Sequence, residues 1–156
     1  MGTNGFTRAD TGYLLSDQSG ACAYGDLLWK PRNGAWRGAV AVACAGYDED
    51  DLILEINYRP KRPSEPTIVY LVRGEIMARV DVNGQHSGQR FTHMQYRKTS
   101  GEPEITEPVP ATFITVPLGP AIDDDLLRRV SREAAALLHV DTSALEWTPP
   151  PEGRPR

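Results

Sequence analysis

Turn chemistry cuts the middle of this chain at short intervals, at Pro31-Arg32-Asn33-Gly34, Tyr47-Asp48-Glu49-Asp50-Asp51, Arg59 to Pro66, Arg73-Gly74, Asn83-Gly84 and Ser100 to Pro103. Glycine and asparagine accept the positive φ of tight turns, and proline presets φ while removing an amide donor. Strands are therefore expected between the breaks. From Trp36 to Ala45, Val40, Val42 and Cys44 alternate with Ala39, Ala41 and Ala43, which suits a strand packed closely on one side. Leu52, Leu54, Ile56 and Tyr58 alternate with Ile53, Glu55 and Asn57, and Ile76, Ala78, Val80 and Val82 with Met77, Arg79 and Asp81. Both runs read as half-buried antiparallel strands. Residues 66–72 are apolar on both faces and read as a central strand, and pairing in chain order predicts a meander.

After Pro120 the period changes. Ile122, Leu126, Leu127, Val130, Ala134, Leu137 and Leu138 recur every three or four residues, with Arg128, Arg129, Arg132 and Glu133 on the other side. That spacing predicts an amphipathic helix, and Asp123, Asp124 and Asp125 at its start suit free N–H groups and the helix dipole. The expected fold is α+β, a single domain with an antiparallel meander sheet of about five or six strands and one C-terminal helix packed on one face. Its expected limits are residues 11–146, between a flexible polar tail at 1–10 and a proline-rich tail at 147–156. The proline run suits polyproline II; an inert end is the plainer reading, and a PxxP-type ligand the sharper one.

Composition narrows the function classes. With 156 residues, 40% hydrophobic and 24% charged, the chain can bury a core of its own without disulfides. The 17 basic and 21 acidic residues leave a net charge of −4, which disfavours a generic nucleic-acid coat but permits a local basic groove. Lys30, Lys61 and Lys98 stand against fourteen arginines, a usage read here as a GC-rich bacterial genome. Cys22 and Cys44 lack C-x-x-C spacing, no apolar leader follows Met1, and the longest apolar run, Gly38 to Gly46, is too short to span a bilayer. A cytoplasmic protein with reduced thiols and no membrane contact is expected.

Two of the three histidines, His86 and His93, lie close together in sequence, with Arg79, Arg90, Tyr96 and Arg97 nearby. A turn from Asn83-Gly84 to Gly88 would bring the imidazoles together across a hairpin. Such a pair could act as base and acid, with Arg79, Arg90 or Arg97 holding a phosphate and Tyr96 donating a proton. The plainer reading makes His86 a solvated turn residue and His93 a packed strand residue. No H-x-H, H-x₃-H or H-E-x-x-H spacing supports a metal, and Asp48 to Asp51 lacks the glycine and terminal glutamate of a calcium loop. No G-x-S-x-G or P-loop is present, so neither a serine nucleophile nor ATP is expected, and no cofactor is assigned. Arg59, Lys61, Arg62, Arg73 and Arg79 form a further basic group that could join His86, His93 and Arg97 in one groove, or pair with Glu55, Glu75 and Asp81 across strands.

The elements Tyr58-Arg59-Pro60, Tyr70-Leu71-Val72-Arg73, Ala78 to His86 and Phe91-Thr92-His93-Met94-Gln95 resemble small uncharacterised bacterial proteins. Those proteins carry an Arg-x-Asp/Tyr-x-Asn-Gly-x-x-His element and then His-x-His on the next strand, and some look like toxin–antitoxin or defence-cassette members. The likeness spans residues 55–100, and Gln95 stands where the pattern has its last histidine. The acidic balance and the lack of a full catalytic motif point to an accessory or binding protein, antitoxin-like or defence-associated, with a protein partner expected and RNA as a partner through the local basic groove. The alternative is a metal-independent, ribonuclease-like phosphoryl-transfer enzyme using the histidine pair.

Overall fold

Three dipeptides with positive φ at both positions, Asn33-Gly34, Arg73-Gly74 and Ser87-Gly88, close two-residue hairpins whose twist matches that of the flanking strands. Around them a computed structural model, which describes residues 5–155, builds an eight-stranded mixed sheet. In chain order the elements are α1 (Arg8–Leu14), β1 (Cys22–Arg32), β2 (Ala35–Ala43), β3 (Leu52–Tyr58), β4 (Thr67–Val72), β5 (Glu75–His86), β6 (Gln89–Tyr96), β7 (Ile105–Pro108), α2 (Asp124–Leu137) and β8 (Asp141–Glu146). The first seven strands pair antiparallel with their chain neighbours, as a meander should. After α2 the chain returns to the opposite edge, where β8 pairs parallel with β1.

The α+β class and the meander agree with the sequence, but five or six antiparallel strands and one helix understate the fold. Strand β1 escapes detection because only Ala23 and Leu27 of its eleven residues are buried, and a bulge between Tyr24 and Leu28 breaks its alternation. In β8 only Leu145 is buried. Helix α1 has seven residues, too few to persist alone, and a capping box between Thr7 and Asp10 starts it. Of the segment read as an amino-terminal tail, residues 1–4 lie outside the described residues, Phe6 is buried, and its N–H donates to Ser100 Oγ at 2.8 Å.

One face of the sheet carries the core. Leu54 and Ile56 of β3, Ile68 and Tyr70 of β4 and Val80 and Val82 of β5 are buried beneath Leu127, Val130 and Ala134 of α2. The Asp123 side chain caps this helix, accepting from the Asp125 N–H at 2.7 Å. At the far end of the sheet, Asp10 ties α1 down. It accepts from the Tyr47 hydroxyl at 2.7 Å and pairs with Arg73 at 3.1 Å. Burial raises the Asp10 carboxyl, but hydrogen bonds from Thr7, Tyr47 and Arg73 outweigh it and hold the group below its ordinary value.

A carboxyl lowered in the folded state contributes stability above its ordinary pKa and loses it as pH falls through the lowered one. The urea midpoint should therefore fall with acidification between about pH 5 and pH 2. In Asp10→Asn the fall should be shallower, and equal slopes in the two proteins would remove the assignment.

Candidate functional site

The face opposite α2 is polar and concave, and strand register shows how it is assembled. One lateral row runs Ala39, Glu55, Val69, Arg79, Gln95 and Thr106, and the next runs Arg37, Asn57, Thr67, Asp81 and His93. Residues paired across neighbouring strands project to the same side, so these rows share a floor. A groove of about 520 Å³ lies over it, bordered by Arg32, Asn57, Arg59, Arg62, Arg79 and Gly84.

The histidines stand at one end of this floor, and the way they arrive there differs from expectation. Asn83-Gly84 is not the hairpin turn. Strand β5 runs on to His86, and the chain reverses at Ser87-Gly88. Asn83-Gly84 instead belongs to a bulge, since Asp81 pairs with His93 and Gly84 with Phe91, which sets three steps of β5 against two of β6. The extra residue returns Gly84 and His86 to the side of Asp81. Asn83 holds the bulge: its φ is +53°, and its Nδ2 donates to the carbonyls of Ser64 and Val116, each at 2.9 Å. Gly84 makes room beneath the ring, since a Cβ there would lie 2.9 Å from Asp81 Cβ and 3.1 Å from His93 Cε1.

His86 and His93 therefore do meet, with ring centroids 5.5 Å apart, and the Phe91 ring lies tilted against His93 at 4.8 Å. Their situations differ. His93 is 1% exposed, with Nε2 at 3.2 Å from Asp81 Oδ2 and Nδ1 at 2.9 Å from the Phe91 carbonyl. Both ring nitrogens face acceptors, so neither is free for a ligand. His86 is half-buried, and its ring nitrogens have no partner among the described residues.

Tyr96 is not brought to this site. It alternates onto the other face of β6, and its hydroxyl donates to Glu107 at 3.2 Å. Burial, and then the Glu107 carboxylate, push that phenol up.

The three arginines predicted to hold an anion already hold carboxylates. Arg79 lies 3.2 Å from Asp81 and 3.3 Å from Glu104 and also donates to Gln95, Arg90 pairs with Glu65, and Arg97 reaches Glu104 at 3.4 Å. Arg73 leaves the expected groove altogether, for Asp10, Asp51 and the Tyr47 ring.

What remains available are Arg32, Arg59 and Arg62. All three are exposed at the groove rim, and none has an acidic partner within 4 Å among the described residues. The sequence singled out Arg59 and Arg62 but not Arg32, whose place beside them depends on β1, β2 and β3 lying side by side. Among the described residues, no group of three or more His, Cys, Asp or Glu side chains is placed to hold a metal ion. No helix of the described residues is long and apolar enough to cross a membrane.

His86 follows Gly84 after one intervening residue, where the bacterial pattern has two. No protein-family model, curated protein or solved structure matches this chain.

Proposed function

We propose that this is a non-catalytic binding protein of the bacterial cytoplasm, whose recognition surface is the arginine-rimmed open face of the sheet. The reading rests on one observation: Arg32, Arg59 and Arg62 line a groove and have no acidic partner within 4 Å among the described residues, in a chain whose net charge is −4. Unpaired guanidinium groups around a concave polar floor favour a ligand that brings carboxylates or phosphates. The acidic whole favours a protein partner presenting an acidic segment over an extended nucleic acid, which the rest of the surface would repel. The short likeness over residues 55–100 is the support for an accessory role in a toxin–antitoxin or defence cassette.

Fluorescence anisotropy with a labelled oligoglutamate peptide, and with a labelled single-stranded RNA of equal charge, tests this at low salt. Arg59→Ala/Arg62→Ala should weaken peptide binding about tenfold or more, the equivalent of about 1.4 kcal/mol. Unchanged binding would remove the groove from consideration, and tighter binding of the RNA would change the partner class. Phosphoryl transfer would have to run through His86, because the His93 nitrogens are both taken. RNA cleavage that disappears in His86→Ala would replace the binding reading with the enzymatic one.

A further inference from the structure

The segment after β8 crosses the part of the core face toward β1 and β2. Leu27 and Trp29 of β1 and Trp36, Gly38 and Val40 of β2 alternate onto that face. Gly38 is paired with Trp29, and a Cβ on it would lie 3.0 Å from Trp29 Cε3 and Cζ3 and from Leu27 Cδ1. The missing side chain is what lets the indole lie over β2. Trp36, two residues before Gly38 and paired with Pro31, puts a second indole on the same face.

Both indoles are half-buried, and each gives its one N–H to a backbone carbonyl of the terminal segment. Trp29 Nε1 donates to the Thr148 carbonyl at 2.9 Å, and Trp36 Nε1 to the Gly153 carbonyl at 3.2 Å. Between those two carbonyls lie Pro149, Pro150 and Pro151. A polyproline stretch has no amide donors and makes no internal hydrogen bonds, so its carbonyls are open to outside donors. Aromatic platforms that dock such a segment are how proline-rich peptides are recognised between proteins, because the ligand arrives already extended and loses little entropy.

Attachment is firm only up to Thr148. Trp147 packs edge-on to Trp29 at 6.3 Å and donates to Asp124 at 3.1 Å, and Thr148 Oγ1 donates to the Leu27 carbonyl at 3.0 Å. From Pro149 onward the hydrogen bond from Trp36 is the one contact of that kind to the rest of the fold among the described residues. Pro149, Pro151, Glu152, Gly153 and Arg154 are exposed. A stretch held this lightly opens at far lower cost than the sheet beneath it.

We propose that Trp29, Trp36 and Gly38 form a recognition groove for a proline-rich segment of a partner protein, a groove that the chain's own residues 149–155 occupy, held at Trp36, until the partner displaces them. The proposal is independent of the arginine-rimmed groove on the opposite face. A tethered occupant competes at an effective concentration in the millimolar range, so binding from outside is weak until the tether is disarmed.

The test uses the full chain with Pro149→Ser, Pro150→Ser and Pro151→Ser, alongside the wild type. The three tryptophan indole N–H signals are followed by ¹⁵N NMR while a synthetic peptide of sequence Thr148 to Arg156 is added. In the triple variant the peptide should move the Trp29 and Trp36 signals and bind at least tenfold more tightly than to the wild type. Adding Trp36→Phe, which keeps a ring but loses the N–H, should abolish the Trp29 response or weaken binding at least tenfold. A peptide with serine in place of every proline should not bind.

Should the triple variant fail to fold by circular dichroism, millimolar peptide must still shift the Trp36 signal of the wild type. No shift, or equal binding by the serine peptide, overturns the proposal. Concentration-dependent dimerisation of the wild type that is lost in the triple variant would make the occupant the tail of a second copy, and would overturn the assignment to a different partner.

Discussion

Arg37→Ala should destabilise the protein by about 3–5 kcal/mol, the cost of leaving a buried charge without its partner. Glu55 lies on the floor of the open face with its side chain 6% exposed, beside Ala39 and Val69 in its lateral row. The Arg37 Nε donates to Glu55 Oε1 at 2.6 Å, and Nη2 also reaches that oxygen. Removing the guanidinium strands a carboxylate among the strands β2 to β4, and the pair is too enclosed for solvent to replace it fully. A second variant separates the value of the pair from the cost of breaking it. Arg37→Met/Glu55→Leu removes both charges at similar volume and should return to within about 1–2 kcal/mol of the wild type. Urea denaturation reads both values from the midpoint, provided the slope is unchanged. A single variant within about 1 kcal/mol of the wild type would show that the Glu55 carboxylate has another source of support.

Leu127→Ala should cost about 2–5 kcal/mol, through lost burial and the cavity left behind. Leu127 is 1% exposed on the first turns of α2, on the face that also carries Val130 and Ala134. Among the described residues α2 is the one helix longer than two turns on this side of the sheet, so the strands beneath have little to collapse into the gap. The neighbouring Leu126, half-buried at the edge of the same helix, serves as the control. Its alanine variant should lose at most about half as much, because surrounding water limits the cavity. Equal losses at the two positions would mean that α2 is not seated on the sheet as described.

These two positions differ in how far they could be read in advance. Leu127 belongs to a three- and four-residue period that marks a helix face whatever it packs on. The loss expected at Arg37 follows from Glu55 being buried, and that burial reflects strands on both sides of β3, so no local pattern announces it. The same division runs through the candidate site. His86 and His93 were recognisable as a pair, and they share a face. That His93 would be sealed with both nitrogens facing acceptors, and that Arg79, Arg90 and Arg97 would be neutralised by Glu65, Asp81 and Glu104, depends on residues brought in by separate strands and loops.

Asn83-Gly84 shows the division most sharply. Locally the dipeptide is a hairpin signal. The strand nonetheless continues, because the Asn83 amide is claimed by carbonyls 19 and 33 residues away. The result is a bulge that moves His86 to the side of Asp81 rather than a reversal that would end β5 before it.

What the amino-acid sequence determined by itself was whatever depends on neighbours along the chain: the alternation of the central strands, two of the three two-residue turns, the capped helix after Pro120, and an acidic charge balance. What only the tertiary structure decided was the partnership of distant residues. It recruited β1 and β8, which bury too few side chains to declare themselves, and it gathered Arg32 with Arg59 and Arg62. It also seated the proline-rich end on indoles more than a hundred residues away. The physical reason is that side-chain period and turn preference act over a few residues, whereas burial, ion pairing and the satisfaction of a polar group are properties of whichever surfaces finally meet.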